Sequence, residues 1–380
     1  MSTTRELRDN IVSALLVSPH FTLRTALPLL LAGLADAYGY REAALGDLGS
    51  AYSAGTLLAA FAAVLWSERY WRTPVLIGML VGTGGLLAVL AGGQYAFVLS
   101  GFLLAGTGFG AVYSWMLSGL AVSANPNRTL GWQWGVGTLP GMAFLYLIPG
   151  LGTGVTGVQR TFMAVLVMNA LAGLAALQLP VRLARPAHRA NVGMDRPPSA
   201  AAGVMPAAVA LFAIYAGCTG GWSLLARVAS HNGLSSDSAG IALSVAAATS
   251  CGVALWIARL GDRGGRPLWM VLSVALMSAG LLCIGRWTGQ AGFTLGVMLF
   301  IAVSAYTLTY CGGLIARRAH GASGAAVSAI ALGCGAIVGP ATAGRLFEAW
   351  GPDAMLSAAG LALVGGLWAY LRAAAAPARP

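Results

Sequence analysis

Twelve stretches of about 20 mostly apolar residues run along this chain of 380 residues. They fall at roughly 11–33, 44–66, 74–93, 95–119, 130–150, 159–180, 205–226, 238–258, 268–287, 292–314, 321–343 and 353–373. A bilayer core about 30 Å thick takes about 20 helical residues to cross, so each stretch is one crossing long. Barrel strands would alternate apolar and polar residues, and these runs do not. Only 9% of the residues are charged, where a soluble domain carries about a quarter. The 53 glycines suit helices that approach closely in lipid. The expected fold class is all-α integral membrane, with twelve transmembrane helices.

The net charge of +11 would suggest an acidic partner such as nucleic acid if the chain were soluble. The positions of the arginines give it another meaning. With the N-terminus inside, 16 of the 22 basic residues lie on the inner side: Arg5, Arg8, Arg69, Arg72, Arg128, Arg182, Arg185, Arg189, Arg196, Arg259, Arg263, Arg266, Arg317, Arg318, Arg372 and Arg379. Five, Arg41, Arg160, Arg227, Arg286 and Arg345, lie outside. That asymmetry is the positive-inside pattern, and a miscount of one helix would scramble it. Both termini are thus expected in the cytoplasm, in a bacterial inner (plasma) membrane, with lipid and no nucleic acid as partner. The N-terminal residues lack a cleavage site, so an uncleaved first helix is expected. The five cysteines, Cys218, Cys251, Cys283, Cys311 and Cys334, sit in separate apolar runs with neither metal nor redox spacing. No metal and no cofactor is expected.

Residues 181–204 are rich in Arg, Pro, Ala and Ser and lack apolar periodicity, which reads as a cytoplasmic linker. It separates a bundle at 1–180 from a bundle at 205–380, six crossings each. The halves repeat. Glu68-Arg69-Tyr70-Trp71-Arg72 follows the second crossing, and Asp262-Arg263-Gly264-Gly265-Arg266 follows the eighth. Gly135 and Pro140 of the fifth crossing correspond to Gly335 and Pro340 of the eleventh. Duplicated halves of six crossings are a secondary-transporter plan, with the substrate held between them near the midplane.

The second loop, Ala258 to Pro267, resembles the signature Gly-x-x-x-Asp-Arg-x-Gly-Arg-Arg of the major facilitator superfamily. It keeps Asp262, Arg263, Gly265 and Arg266, with alanine at the first glycine and proline at the last arginine. The first-half copy has Glu68 for the aspartate and Trp71 for the glycine. The eleventh crossing, Gly335 to Gly344 with Gly339 and Pro340, is similar to the Gly/Pro-rich helix of the same superfamily. The fifth keeps only Gly135, Pro140 and Gly141 of the pattern that marks antiporters. The resemblance implies two six-helix bundles related by a pseudo-two-fold axis. It also implies loop gates at Glu68, Arg69 and Arg72 and at Asp262, Arg263, Gly265 and Arg266. The Gly/Pro positions act either in packing alone or as bends that let the halves rock.

One arginine is out of place. Arg24 lies about 20 Å into the first crossing when counted from residue 11. An arginine at that depth costs at least about 2.5–3.5 kcal/mol, so it faces a cavity or a partner. Three readings stay open: it binds a carboxylate or other anionic group of a substrate, it pairs with Asp36 or Asp47, or Pro19 and His20 mark the helix start and it snorkels inward. Many superfamily members carry an arginine shortly before a Leu-Pro here, and Arg24 with Leu27-Pro28 is similar to that pattern. Further cavity candidates are Tyr52, Trp115, Gln133, Asn169, Tyr215, Trp222, Tyr306 and Tyr310, the last two one turn apart on a shared face. For tryptophan and tyrosine near the span ends, an interfacial belt is the competing reading.

No acid lies at the centre of a span, and Ser100 stands where many proton-coupled relatives carry arginine. Proton coupling is therefore an implication of the resemblance, with His20, Asp36, Asp47 and His231 as candidates, and facilitated diffusion is open. The expected function is secondary transport of a small organic solute by a monomer, leaning to an organic anion. The alternative is efflux of apolar or aromatic compounds. More remote are a non-transporting sensor and an intramembrane enzyme, for which there is neither paired histidine at metal spacing nor Gly-x-Ser-x-Gly.

Overall fold

The computed structural model describes residues 2–65, 72–120, 126–152, 154–177, 201–260, 267–287, 289–318 and 322–375. Among them are fourteen α-helices and one 3₁₀ turn, Pro149–Leu151. In the first half these are α1 (Ser2–Tyr38), α2 (Glu42–Leu65), α3 (Arg72–Leu90), α4 (Tyr95–Leu120), α5 (Pro126–Leu147) and α6 (Gly154–Ala176). In the second they are α7 (Ala201–Ser223), α8 (Leu225–His231), α9 (Ser236–Leu260), α10 (Pro267–Arg286), α11 (Gln290–Ala302), α12 (Ser304–Arg318), α13 (Ala322–Trp350) and α14 (Pro352–Ala375). Ten segments are long and apolar enough to cross a membrane on their own. With α2 and α5, whose apolar part is Gly137–Leu147, they give the twelve crossings read from the sequence.

Two crossings are broken. The seventh is α7 followed by α8, separated at Leu224 (φ −113°, ψ 10°), and the tenth is α11 followed by α12, separated at Val303. Neither break holds a proline or glycine, so neither was legible as a break. The reverse holds in α1, which carries Pro19 and Pro28 yet runs as one helix from Ser2 to Tyr38. A proline removes the donor for the carbonyl four residues earlier. For Pro19 that carbonyl is Leu15, and the Ser18 hydroxyl donates to it at 2.7 Å. α7 spans Ala201–Ser223, so helix is already formed four residues before the expected start at 205.

Helix ends follow capping chemistry. α1 and α13 each stop at a glycine of positive φ, Gly39 (69°) and Gly351 (82°), whose amides donate back to Ala35 and Phe347 at 2.8 Å. Pro352 then opens α14.

In the first half α4 packs on α2 and α3, and α1 on α5 and α6; in the second α7 packs on α13 and α14, and α9 and α10 on α11. The halves meet along two seams, α2 on α13 and α5 on α9. On the first seam Gly46 faces Gly344 so closely that a Cβ on Gly344 would lie 3.0 Å from the Gly46 Cα. The same Cβ would also run into the Glu42 carbonyl. Ser50 of α2 donates to the Ile337 carbonyl at 2.6 Å, just before Pro340 of α13. On the second seam Ser244 donates to the Met142 carbonyl at 3.2 Å.

Candidate functional site

The first crossing presents Arg24 to the interface between the halves. It stands eleventh in the apolar segment Ala14–Tyr38, so it lies near the middle of the span. α1 runs unbroken through Pro19, so the helix does not start at His20. Its guanidinium donates to the Tyr215 hydroxyl of α7 and lies 5.2 Å from that ring's centroid. Pro28 leaves the Arg24 carbonyl without its helical donor. The Trp222 indole, from the second half, supplies one at 3.3 Å. Leu27-Pro28 thus has a local purpose: it opens the backbone of α1 to a partner from α7. Arg24 is partly exposed, while Tyr215 is 7% exposed. Among the described residues no carboxylate pairs with Arg24.

Asp36 and Asp47, the acids considered for Arg24, are engaged elsewhere. At the end of the bundle that holds the α1–α2 connection, acids of the first half meet arginines of the second. Arg227 of α8 reaches Glu42 at 2.8 Å and Asp36 at 3.4 Å. Arg345 of α13 grips Asp47 with both terminal nitrogens, at 2.8 and 3.3 Å. Arg41 and Glu348 reverse the order of charges across the same seam, at 3.3 Å. The second oxygen of Glu348 accepts the Ala43 amide at 3.0 Å, so α13 caps the first turn of α2. Glu42, Glu348 and Arg227 are the most enclosed of these charges, with 19%, 23% and 24% side-chain exposure. Beside them the Tyr40 hydroxyl donates to the Gly93 carbonyl at 2.7 Å. Burial first, then Tyr38 and Tyr95, raises its pKa above the ordinary phenol value, so it stays neutral at physiological pH. These contacts close one end of the interface between the halves.

His20 and Tyr52 form a second polar centre one turn from Arg24. Both are buried, and the Tyr52 hydroxyl lies 2.9 Å from His20 Nδ1. The imidazole is stacked on Tyr113 of α4, with centroids 4.7 Å apart and planes 10° apart.

The remaining candidates scatter. Asn169 bonds the Met79 carbonyl and Thr83 at 3.3 and 2.7 Å, between α3 and α6 of its own half. Trp115 packs with Leu16, Val17 and Met79 and lines an apolar groove of α2, α3 and α4. Tyr306 and Tyr310 stand 4.5 Å apart on α12 and are buried. His231 ends α8 against Phe347. Pro140 and Gly141 lie in α5, Gly141 against Thr22 and Thr25 of α1, and Gly335 and Gly339 lie against α7. Arg72 opens α3. Glu68, Arg69, Asp262, Arg263, Gly265 and Arg266, with the side chain of Gln133 and the surroundings of Gly135, lie outside the described residues. Sequence reasoning missed the rim arginines Arg227 and Arg345 as functional residues, because only their loop position was visible.

No protein-family model and no curated protein matches this sequence. Solved structures do. The human organic anion transporter MFSD10 (TETRAN) superposes with a TM-score of 0.70 at 16% identity, over 96% of this chain and 99% of that one. A D-xylose-proton symporter gives 0.75 at 15%, over 96% and 97%. The nucleoside transporter NupG gives 0.70 at 15%, over 98% and 99%. The chain therefore has the major facilitator superfamily fold of these transporters over nearly its whole length.

Proposed function

We propose that the chain is a secondary transporter that moves a small organic anion, such as a carboxylate, by alternating access with proton coupling. The observation that carries this reading is Arg24: a guanidinium in mid-span, partly exposed, positioned by Tyr215 and Trp222 of the other half and answered by no acid among the described residues. A charge so placed is stabilised by what it binds, and a carboxylate matches its fork. One of the similar folds is an organic anion transporter, which agrees with this choice.

The bundles 1–180 and 205–380 rock about the seams α2–α13 and α5–α9. With both termini in the cytoplasm of a bacterial cell, the closed rim faces outward. Opening it breaks the pairs of Arg227, Arg345 and Arg41. The loops at Glu68–Arg72 and Asp262–Arg266 then close the inner side. A second reading, efflux of aromatic compounds, is favoured by the buried aromatic pair Tyr306–Tyr310 of α12.

Uptake of radiolabelled lactate, gluconate and benzoate into proteoliposomes tests the anion reading. Arg24→Ala is expected to abolish uptake while the protein keeps its elution profile and thermal stability. Unchanged uptake in that variant would sink the anion site.

A further inference from the structure

His20 is a buried titratable side chain that the binding site does not use, and the Tyr52 hydroxyl can pair with either protonation state of its Nδ1. From α2, the Tyr52 hydroxyl lies 2.9 Å from Nδ1 and 3.3 Å from the backbone carbonyl of His20 itself. When Nδ1 is bare, the hydroxyl donates to it. When Nδ1 carries a proton, the hydroxyl accepts from it and turns its own proton to the carbonyl. From α4, the face of Tyr113 lies flat against the ring, with centroids 4.7 Å apart, a contact open to either protonation state. From α1 itself come Phe21, edge-on at 5.7 Å, and Arg24, one turn further on. α5 and α6 reach the neighbouring turn with Gly137 against Phe21 and Met168 against Thr22. No carboxylate pairs with His20 among the described residues.

Two cations one helical turn apart oppose each other, by an amount that an anion on Arg24 cancels. We propose that His20 carries the transported proton and takes it up only when an anion is seated on Arg24, so that the two move together. The proton comes from water on the loading side, rides on Nδ1, and returns to water on the other side when the anion leaves. Linkage makes the effect mutual: the proton on His20 tightens the anion by the same factor. This rests on the anion reading of Arg24, and it adds the sign and the carrier of the coupling.

The test is an NMR titration of the full chain in nanodiscs with ring-labelled histidine. The His20 signal is assigned by its loss in His20→Gln, apart from His188, His231 and His320. Arg24→Gln is expected to raise the proton affinity of His20 about tenfold or more. Gluconate, lactate or benzoate added to the wild type should shift it in the same direction. Tyr52→Phe, which removes the switching hydroxyl, should lower it. An identical His20 titration in wild type and Arg24→Gln would overturn the proposal. So would anion binding to the wild type, seen by thermal shift, with no change at His20; that result would leave the anion site standing. A shift in Arg24→Gln with none of the three anions acting on the wild type would overturn the proposal through its premise and the anion reading with it.

Discussion

Arginines stand at two levels in this molecule, and their company differs. At the closed rim, Arg227 and Arg345 each meet a carboxylate of the opposite half, as Arg41 does in reverse. At mid-span, Arg24 meets a tyrosine hydroxyl and ring from the opposite half and, among the described residues, no acid. Both arrangements join the halves. At the rim each of these arginines meets an acid across the seam, so the closed arrangement is held without a ligand. On the anion reading, the centre lacks one negative charge that cargo supplies. Alternating access, as proposed, needs this division: contacts that hold one conformation must be satisfied without cargo, and the contact that binds cargo must not be.

The largest effect is expected at the centre. Arg24→Ala should reduce anion uptake about 100-fold or more, because a hydrogen-bonded charge contact in a desolvated site is worth about 2–5 kcal/mol. Arg24→Lys keeps the charge and loses the planar fork, and should fall in between. Next comes Gly344→Ala. Its methyl would strike the Glu42 carbonyl and the Gly46 Cα. Overpacking of this kind costs about 1–3 kcal/mol, so the closed rim should be depopulated about tenfold or more. Spin labels on the ends of α1 and α8 would report that as a longer distance.

Arg227→Gln should be milder, shifting the rim toward the open state about threefold to tenfold, since Glu42 and Arg227 are only partly screened by water. Arg345→Gln should be smallest, about twofold, and weaker still at high salt. The pair is bidentate, but the Arg345 side chain is 58% exposed. If Arg345→Gln opened the rim more than Arg227→Gln, enclosure would not be what ranks these locks. If either rim variant removed anion binding as Arg24→Ala does, the division between rim and centre would fail.

Much of this fold is written locally. Each crossing is a run of about 20 apolar residues, and the arginine asymmetry counts the crossings. Arg24 was legible for the same reason: a charge inside an apolar run is conspicuous. Its surroundings were legible in part. Tyr215, Trp222 and Tyr52 were cavity candidates, and two of them do reach Arg24 from α7. Their neighbours by type, Asn169 and Trp115, turn into their own half, and residue type alone does not say which way a side chain on an all-apolar helix faces. The rim lay out of reach. Asp47 and Arg345 are 298 residues apart, and Glu42 and Arg227 are 185 apart. Such pairs exist only once the two halves are docked. The break at Leu224 was hidden too, since it carries no residue that punctuates helices.

The most direct measurement is the thermal stability of wild type, Arg24→Gln and Arg227→Gln in detergent, each titrated with gluconate, lactate and benzoate. One or more of the anions is expected to raise the melting temperature of the wild type and of Arg227→Gln, and to leave Arg24→Gln unmoved. Equal stabilisation of Arg24→Gln by the same anion would contradict a binding site built on Arg24.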